Sequence, residues 1–500
     1  MKGCIILQRQ FAPIGNAIAL ELKNEYGIKE FCGYIFTRRA EQFVNAQKDI
    51  QYTNLLLDEN LHNQYKEEKL DIEYLKKLEA EYGMPNLWQC LAIDRTIMMN
   101  HPPEDYLISP TPPYTHEEML KILQIYFRNI INFFKKERPD FIVGVNVSCI
   151  GNTTIYYVAQ KMGIKYYTVE TGKIDNRVTF SENYKTLSGV EKIINNIKKN
   201  NYKSPFRKEA ESHLEKFRKN PAPPSFAAEE KDKKFLERLS TIPFRFFRVL
   251  KFTLKSTYKY FKNPHKSDYV LENPAYALMN KFKRKARRFR NLKPLYDEPN
   301  WNEDFAYFPL HFEPEITTLL YSPFYTNQIT LLTQIAKSLP VHFKLYVKEH
   351  PSMLEYRPIE YYKELKKIPN LKLLDPKTNS LDLIEKSKIV TTIAGTAGFE
   401  AALLKKPIIS FGDIFYNNLS FVKRCREIED MPNIIKQQLE NFQYDNEEVI
   451  NFLSAIFEDT LPFDFTDLWS KGTYEQIKNH SDFPKFVNNL AQKIGLVNKK

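Results

Sequence analysis

Between residues 301 and 415 the sequence alternates strand-like and helix-like segments without a break. FAYFPLHF reads as a strand, NQITLLTQIAKSL as a helix, FKLYVKEHP as a strand leaving into a loop, and YYKELKKIP as a helix. NLKLLDP (strand), SLDLIEKS (helix), KIVTTIAGT (strand), AGFEAALLKK (helix) and PIISFG (strand) continue the series. Short apolar runs separated by amphipathic stretches are the pattern of parallel strands joined by crossover helices, so a doubly wound α/β domain is predicted. The first part of the chain repeats the theme. CIILQ precedes the helical NAIALELKNEYG, and the long helical pattern EEMLKILQIYFRNIINFFKKERP ends at a proline. The apolar run DFIVGVNVSCIG, the helix TTIYYVAQKMG and the strand IKYYTVETG then form a βαβ unit.

Four divisions follow: an α/β block over 1–180, a basic helical insert or linker over 181–300, a second α/β block over 301–440, and a helical tail over 441–500. Two α/β domains imply a cleft between them, where such architectures bind ligands.

Charge and glycine are both unevenly placed. The formal net charge is +12, yet residues 241–295 alone hold fifteen Lys or Arg against two acids, so the rest of the chain is nearly neutral. Within TIPFRFFRVLKFTLKSTYKYF and the lysine that follows it, aromatic residues interleave with Arg245, Arg248, Lys251, Lys255, Lys259 and Lys262, as on a helix lying in a membrane interface. The same surface suits a polyanionic glycan, an anionic bilayer at roughly 1 kcal/mol per cation, or solvent alone. No nucleic-acid motif accompanies it, and no nucleic-acid partner is expected. Five dispersed cysteines with no C-x-x-C pair, no signal-like start and no run of about 20 apolar residues make a cytoplasmic setting the expectation.

Only 15 glycines occur, none between Gly189 and Gly395. The turn Gly395-Thr396-Ala397-Gly398 therefore stands out, because it joins a β-branched strand to a helix. Glycines there permit close approach of a ligand, and the helix N-terminus favours an anion by about 0.3–1 kcal/mol. Thr396 is placed to cap the helix, and Glu400, one turn on, to reach ribose hydroxyls. An ordinary strand–turn–helix with a buried cap fits the same residues. Lys348-Glu349-His350-Pro351 ends another strand, where proline aims His350 from the sheet edge and an imidazole can hold a phosphate or assist a leaving group. His311 and Glu315 leave the first strand of this domain and are further cleft candidates, although His311 also suits packing. Glu170 and Asp175 follow a strand of the first block, where a carboxylate can face the cleft as a base. Asp94-Arg95 reads as a buried ion pair. The nine histidines do not cluster, and no metal-binding constellation, serine-hydrolase elbow, Walker A loop or G-x-G-x-x-G fingerprint is present.

The order YFPLHFEPE, LYVKEHP, TTIAGTAGFEAALLKKPIISFGDIFY, with RPDFIVGVNVSCIGNTTIYYVAQKMGIKYYTVETGKIDNR more loosely, resembles bacterial capsule and surface-polysaccharide synthesis proteins. This broad group includes Kdo and polysialic acid transferases. The resemblance implies the GT-B architecture: two Rossmann-like domains face across a cleft, acceptor on the N-terminal side and nucleotide sugar mainly on the C-terminal one. It places His350-Pro351 on the donor phosphate and Gly395, Thr396 and Gly398 in the Gly-Thr-rich turn. Where some members carry paired acids before a glycine, this chain has Glu170-Thr171-Gly172, so the identity of the base and the stereochemical course stay open. The implied activity is metal-independent transfer of a sugar from a nucleotide sugar to a polysaccharide or lipid-linked acceptor, with no other cofactor. CMP-, UDP- and GDP-sugars all remain candidate donors. A nucleotide-sugar epimerase on the same fold, or a non-catalytic membrane- or glycan-binding assembly factor, would leave the same motifs.

Overall fold

The computed structural model describes residues 1–83, 86–99, 112–222, 254–258, 260–263 and 274–496. The first sheet is built from β1 (Lys2–Leu7), β2 (Glu30–Ile35), β3 (Tyr52–Leu57), β4 (Phe141–Val145), β5 (Lys165–Thr171) and β6 (Arg177–Ser181). The first five are parallel in the order 3-2-1-4-5, and β6 closes the edge antiparallel to β5. The second sheet holds β7 (Phe305–Pro309), β8 (Lys344–Lys348), β9 (Leu371–Leu374), β10 (Ile389–Thr392), β11 (Ile408–Ser410) and β12 (Val422–Arg424). All six run parallel, in the order β12-β11-β10-β7-β8-β9.

Both sheets are doubly wound. The strand order reverses between β1 and β4 in one and between β7 and β10 in the other, and such reversals open a crevice beyond the carboxyl ends of the strands. Two Rossmann-like domains facing across a cleft are thus present, as the GT-B resemblance implies.

Local chemistry accounts for the elements. The central strands β1, β4 and β10 are almost wholly buried, so they read as apolar runs rather than alternating ones. Helix His116–Glu137 opens on a capping box in which Thr115 and Glu118 each satisfy the other's backbone N–H. Helix Phe11–Tyr26 stops at Gly27, whose φ of 71° lies in the left-handed region.

The cores do not follow the four sequence divisions. Helices Ser188–Asn200 and Arg207–Lys219, from the 181–300 stretch, bury Val190, Ile194, Ala210 and Leu214 in the core of the second sheet. They pack there against helix Asn446–Asp459. The chain then returns to the first domain. β13 (Leu461–Pro462) pairs antiparallel with β6, and helix Phe483–Ile494 buries Phe486, Val487 and Leu490 against the core of β1 and β4. The connection after β7 makes the reverse crossing, because Leu319, at the end of the short helix Ile316–Leu319, and Leu320 are buried in the first domain's core.

Asp94 and Arg95 do not form the expected ion pair. Asp94 accepts the N–H groups of Thr96, Ile97 and Ile150, so it caps two helix starts. Arg95 instead donates to the Pro314 carbonyl across the domain boundary, at 3.3 Å.

Candidate active site

At the switch point of the second sheet, His311 follows β7 and Thr392 ends β10. The His311 Nε2 lies 3.3 Å from the Ala394 N–H and 3.3 Å from Thr392 Oγ1, and Gln328 bonds the His311 backbone at both N–H and C=O. Accepting from a backbone N–H assigns the ring proton to Nδ1. Burial lowers the pKa to about 3, with Arg357 and His350 adding to the effect, so the ring stays neutral. His311 therefore lies beneath the turn and supports it.

The two glycines of that turn answer to close packing. Gly395 has extended backbone, but a Cβ on it would stand 3.0 Å from both His311 Nε2 and Thr392 Oγ1. A Cβ on Gly398 would run into the Tyr416 hydroxyl, and that hydroxyl donates to the Gly395 carbonyl at 2.7 Å. Helix Thr396–Leu403 starts from this fixed turn, with Gly395 rather than Thr396 in the capping position. Thr396 is partly exposed in the first helical turn, and its hydroxyl bonds to none of the described residues. Glu400 is buried on the same helix. Desolvation pushes its pKa up to about 7, against the pull of Lys348. Lys348, at the end of β8, donates to the Thr378 carbonyl at 2.7 Å.

His350 stands exposed on the loop after β8. Its Nδ1 accepts the Ser352 N–H at 3.3 Å, which leaves Nε2 as the proton-bearing edge of the neutral ring. Beneath it lies a clamp that the sequence did not signal. Arg357 is fully buried and reaches Glu349 at 3.0 Å, Glu313 at 3.0 Å and the His311 carbonyl at 2.6 Å. Glu349 also accepts from Tyr362 at 2.9 Å and from the His350 N–H at 2.6 Å. One guanidinium thus ties the loop after β7 to the loop after β8. From outside, helix Pro274–Arg288 is pinned to the same loop, with the Arg284 guanidinium 4.4 Å from the Tyr356 ring and Arg287 donating to the Tyr356 carbonyl at 2.8 Å.

A sequence model for capsule polysaccharide biosynthesis proteins matches residues 152–422, more than half of the chain. The chain belongs to the capsule polysaccharide biosynthesis protein family. The match begins in the first domain, and it takes in both the His-Pro loop and the Gly-Thr turn. No curated protein matches. Among solved structures, the chain is similar to the beta Kdo 2,4 transferase of Thermosulfurimonas dismutans KpsC, at 12% identity over 64% of this chain and 80% of that one, TM-score 0.34. The KpsC beta Kdo 2,7 transferase aligns at 12% identity over 66% and 80%, TM-score 0.30. The UDP-GlcNAc 2-epimerase of Neisseria meningitidis aligns at 14% over 92% and 99%, TM-score 0.26.

On the first-domain side of the cleft, Glu170 ends β5. It is partly exposed, yet the protein around it displaces enough water to push its pKa up to about 7, opposed by Lys173. Lys173 feels the charges of both Glu170 and, from the other domain, Glu315. Glu315 is exposed and accepts from Thr317 at 2.8 Å. Asp175 is set apart in the β5–β6 turn, where its charge is felt by Arg177 and His213.

Of the cationic candidates, Arg245, Arg248, Lys251 and Lys259 lie outside the described residues. Lys255 and Lys262 are exposed beside Leu254, Tyr258 and Phe261, each at least 60% exposed, and the Lys262 ammonium sits 4.8 Å from the Tyr258 ring. Among the described residues no group of His, Cys, Asp or Glu is placed to hold a metal ion, and no helix is long and apolar enough to cross a membrane.

Proposed function

We propose that this chain is a glycosyltransferase that moves a sugar from a nucleotide sugar to a growing capsule-type polysaccharide or a lipid-linked acceptor. The observation that carries it is the family match over residues 152–422, which takes in the His-Pro loop and the Gly-Thr turn at the carboxyl edge of the second sheet. The donor phosphate rests between His350 and the start of helix Thr396–Leu403, with Lys348 adding charge and Glu400 reaching the ribose. As the bond from the sugar to phosphate breaks, negative charge grows on the departing oxygen. Fixed donors aimed at that oxygen then stabilise it without reorganising. Glu170 takes the proton of the acceptor hydroxyl, a role commonly worth about 10²–10⁴ in rate. In this reading the phosphate charge is met by Lys348, His350 and the helix N-terminus, so no metal is required. The exposed Lys and aromatic residues around 254–262 tether the enzyme to the anionic inner face of the cell membrane.

The test is nucleotide release from CMP-, UDP- and GDP-sugars, with and without membrane extract. Acceptor-dependent release from one donor class is expected, and His350→Ala should lower it at least 100-fold with an unchanged Tm, because the ring is exposed. Isomerised donor in place of release would establish the epimerase reading. No turnover of any donor, or full activity in the alanine variant, contradicts the assignment.

A further inference from the structure

Helix Pro274–Arg288 lies on the second domain with its polarity reversed. Ala275, Met279, Phe282, Ala286 and, one residue past its end, Phe289 recur every three or four positions and so share one face. All five are exposed, Phe282 at 57% and Phe289 at 84%. Lys281, Lys283 and Lys285 are exposed along the flanks. The opposite face carries Asn280, buried, with Arg284 and Arg287 half-buried against the loop after β8. A helix packed on a core ordinarily turns its apolar stripe inward. Here arginines hold the inner side and the rings face outward, so the stripe is free to meet a partner.

The helix contains six Lys or Arg and no acid, so a second copy of this face would be repelled. Rings at the centre and lysines on both flanks instead match an anionic bilayer, with the rings at the acyl boundary and the ammonium groups among the headgroups. Leu254, Tyr258 and Phe261, beside Lys255 and Lys262, repeat the same spacing. A soluble polyanion would pair the lysines and leave the rings in water.

The inner face leads to the donor site. Arg284 donates to the Tyr356 hydroxyl at 3.2 Å, Arg287 to the Tyr356 carbonyl at 2.8 Å, and Arg290 to the Arg357 carbonyl at 2.7 Å. The Tyr356 ring packs edge-on with Phe312 at 5.8 Å, and Phe312 with the His350 ring at 6.2 Å. We infer that an anionic lipid surface taken up by the outer face of this helix fixes the His350 loop and so tightens nucleotide binding. A loop already held loses less freedom when a phosphate arrives, and the nucleotide in turn tightens lipid binding by the same factor. The inference rests on the glycosyltransferase reading, which places the nucleotide at His350.

The whole protein is titrated with CMP, UDP and GDP in buffer, on phosphatidylcholine vesicles, and on vesicles that also contain phosphatidylglycerol. It should float with the mixed vesicles, and the nucleotide that binds should do so about fivefold tighter or more there than in buffer. The double variant Phe282→Ser, Phe289→Ser should lose that gain, whether or not the residues around 254–262 still hold it to the vesicle. Its Tm and its affinity in buffer should be unchanged, because both rings are exposed. Arg284→Gln should float as the wild type does yet lose the gain. Absence of flotation, equal affinity on both vesicle types, a gain kept in either variant, or the same gain from dextran sulfate without lipid overturns the inference. If no nucleotide binds under any condition, the glycosyltransferase reading fails and the inference with it; if one binds equally in all, only the inference fails.

Discussion

Glu170 and Glu400 share one physical cause, desolvation that lifts each carboxyl to about 7, yet their consequences differ. Glu170 ends a strand at the cleft, where a base near the working pH is most useful. Its ionised form is the active one, so kcat/KM should rise with pH through about 7 and level off above it. Glu170→Gln should lower kcat by about 10²–10⁴ and abolish that limb, and an unchanged profile would remove Glu170 from the mechanism. Glu400 is buried, and its raised pKa is a stability statement. Between about 4.5 and 7 the native state holds a proton that the unfolded chain has lost, so stability falls as pH rises through that window. The penalty above it is at most about 3 kcal/mol. Glu400→Gln should therefore stabilise the protein by roughly 1–3 kcal/mol at pH 8 and hardly at all at pH 5, measured by urea unfolding. The same variant should bind the nucleotide more weakly.

At the scale of the element, the strand–turn–helix at 389–403 explains why its glycines cannot be exchanged. Gly398→Ala forces a methyl group against Tyr416 and should cost about 1–3 kcal/mol. The ring carbons of Tyr416 stand in the way as well as its hydroxyl, so Tyr416→Leu should recover part of that loss in the double variant, and strictly additive losses would show that the contact is not the cause. This turn and the His-Pro loop were legible in the sequence because both sit where an apolar parallel strand ends, and such strands announce themselves as unbroken apolar runs. The reason for the glycines was not legible, because Tyr416 lies beyond the helix and the next strand. Arg357 was hidden for a similar reason. It sits in SMLEYRP, which reads as a polar loop, while its partner Glu313 lies 44 residues away in sequence. Only the packed structure shows that one guanidinium aligns the loops bearing His311 and His350.

At the scale of the whole molecule, the two α/β blocks were readable from their alternation, but the path between them was not. The tail returns to complete the first domain, and residues 188–219 complete the second, because amphipathic helices name the face they bury and not the sheet that buries it. The concentrated positive charge is joined to the loop after β8 as well as to surface. Three arginines of the basic stretch, Arg284, Arg287 and Arg290, hold the outer side of the loop that carries His350, while those of its lysines that are among the described residues stay exposed. The central claim is that the donor nucleotide is held at the carboxyl edge of the second sheet, and hydrogen exchange read by mass spectrometry tests it most directly. On addition of the nucleotide that binds, backbone exchange should slow at residues 349–353 and 394–400. Protection confined to residues 8–10 and 146–148 of the first domain would contradict it.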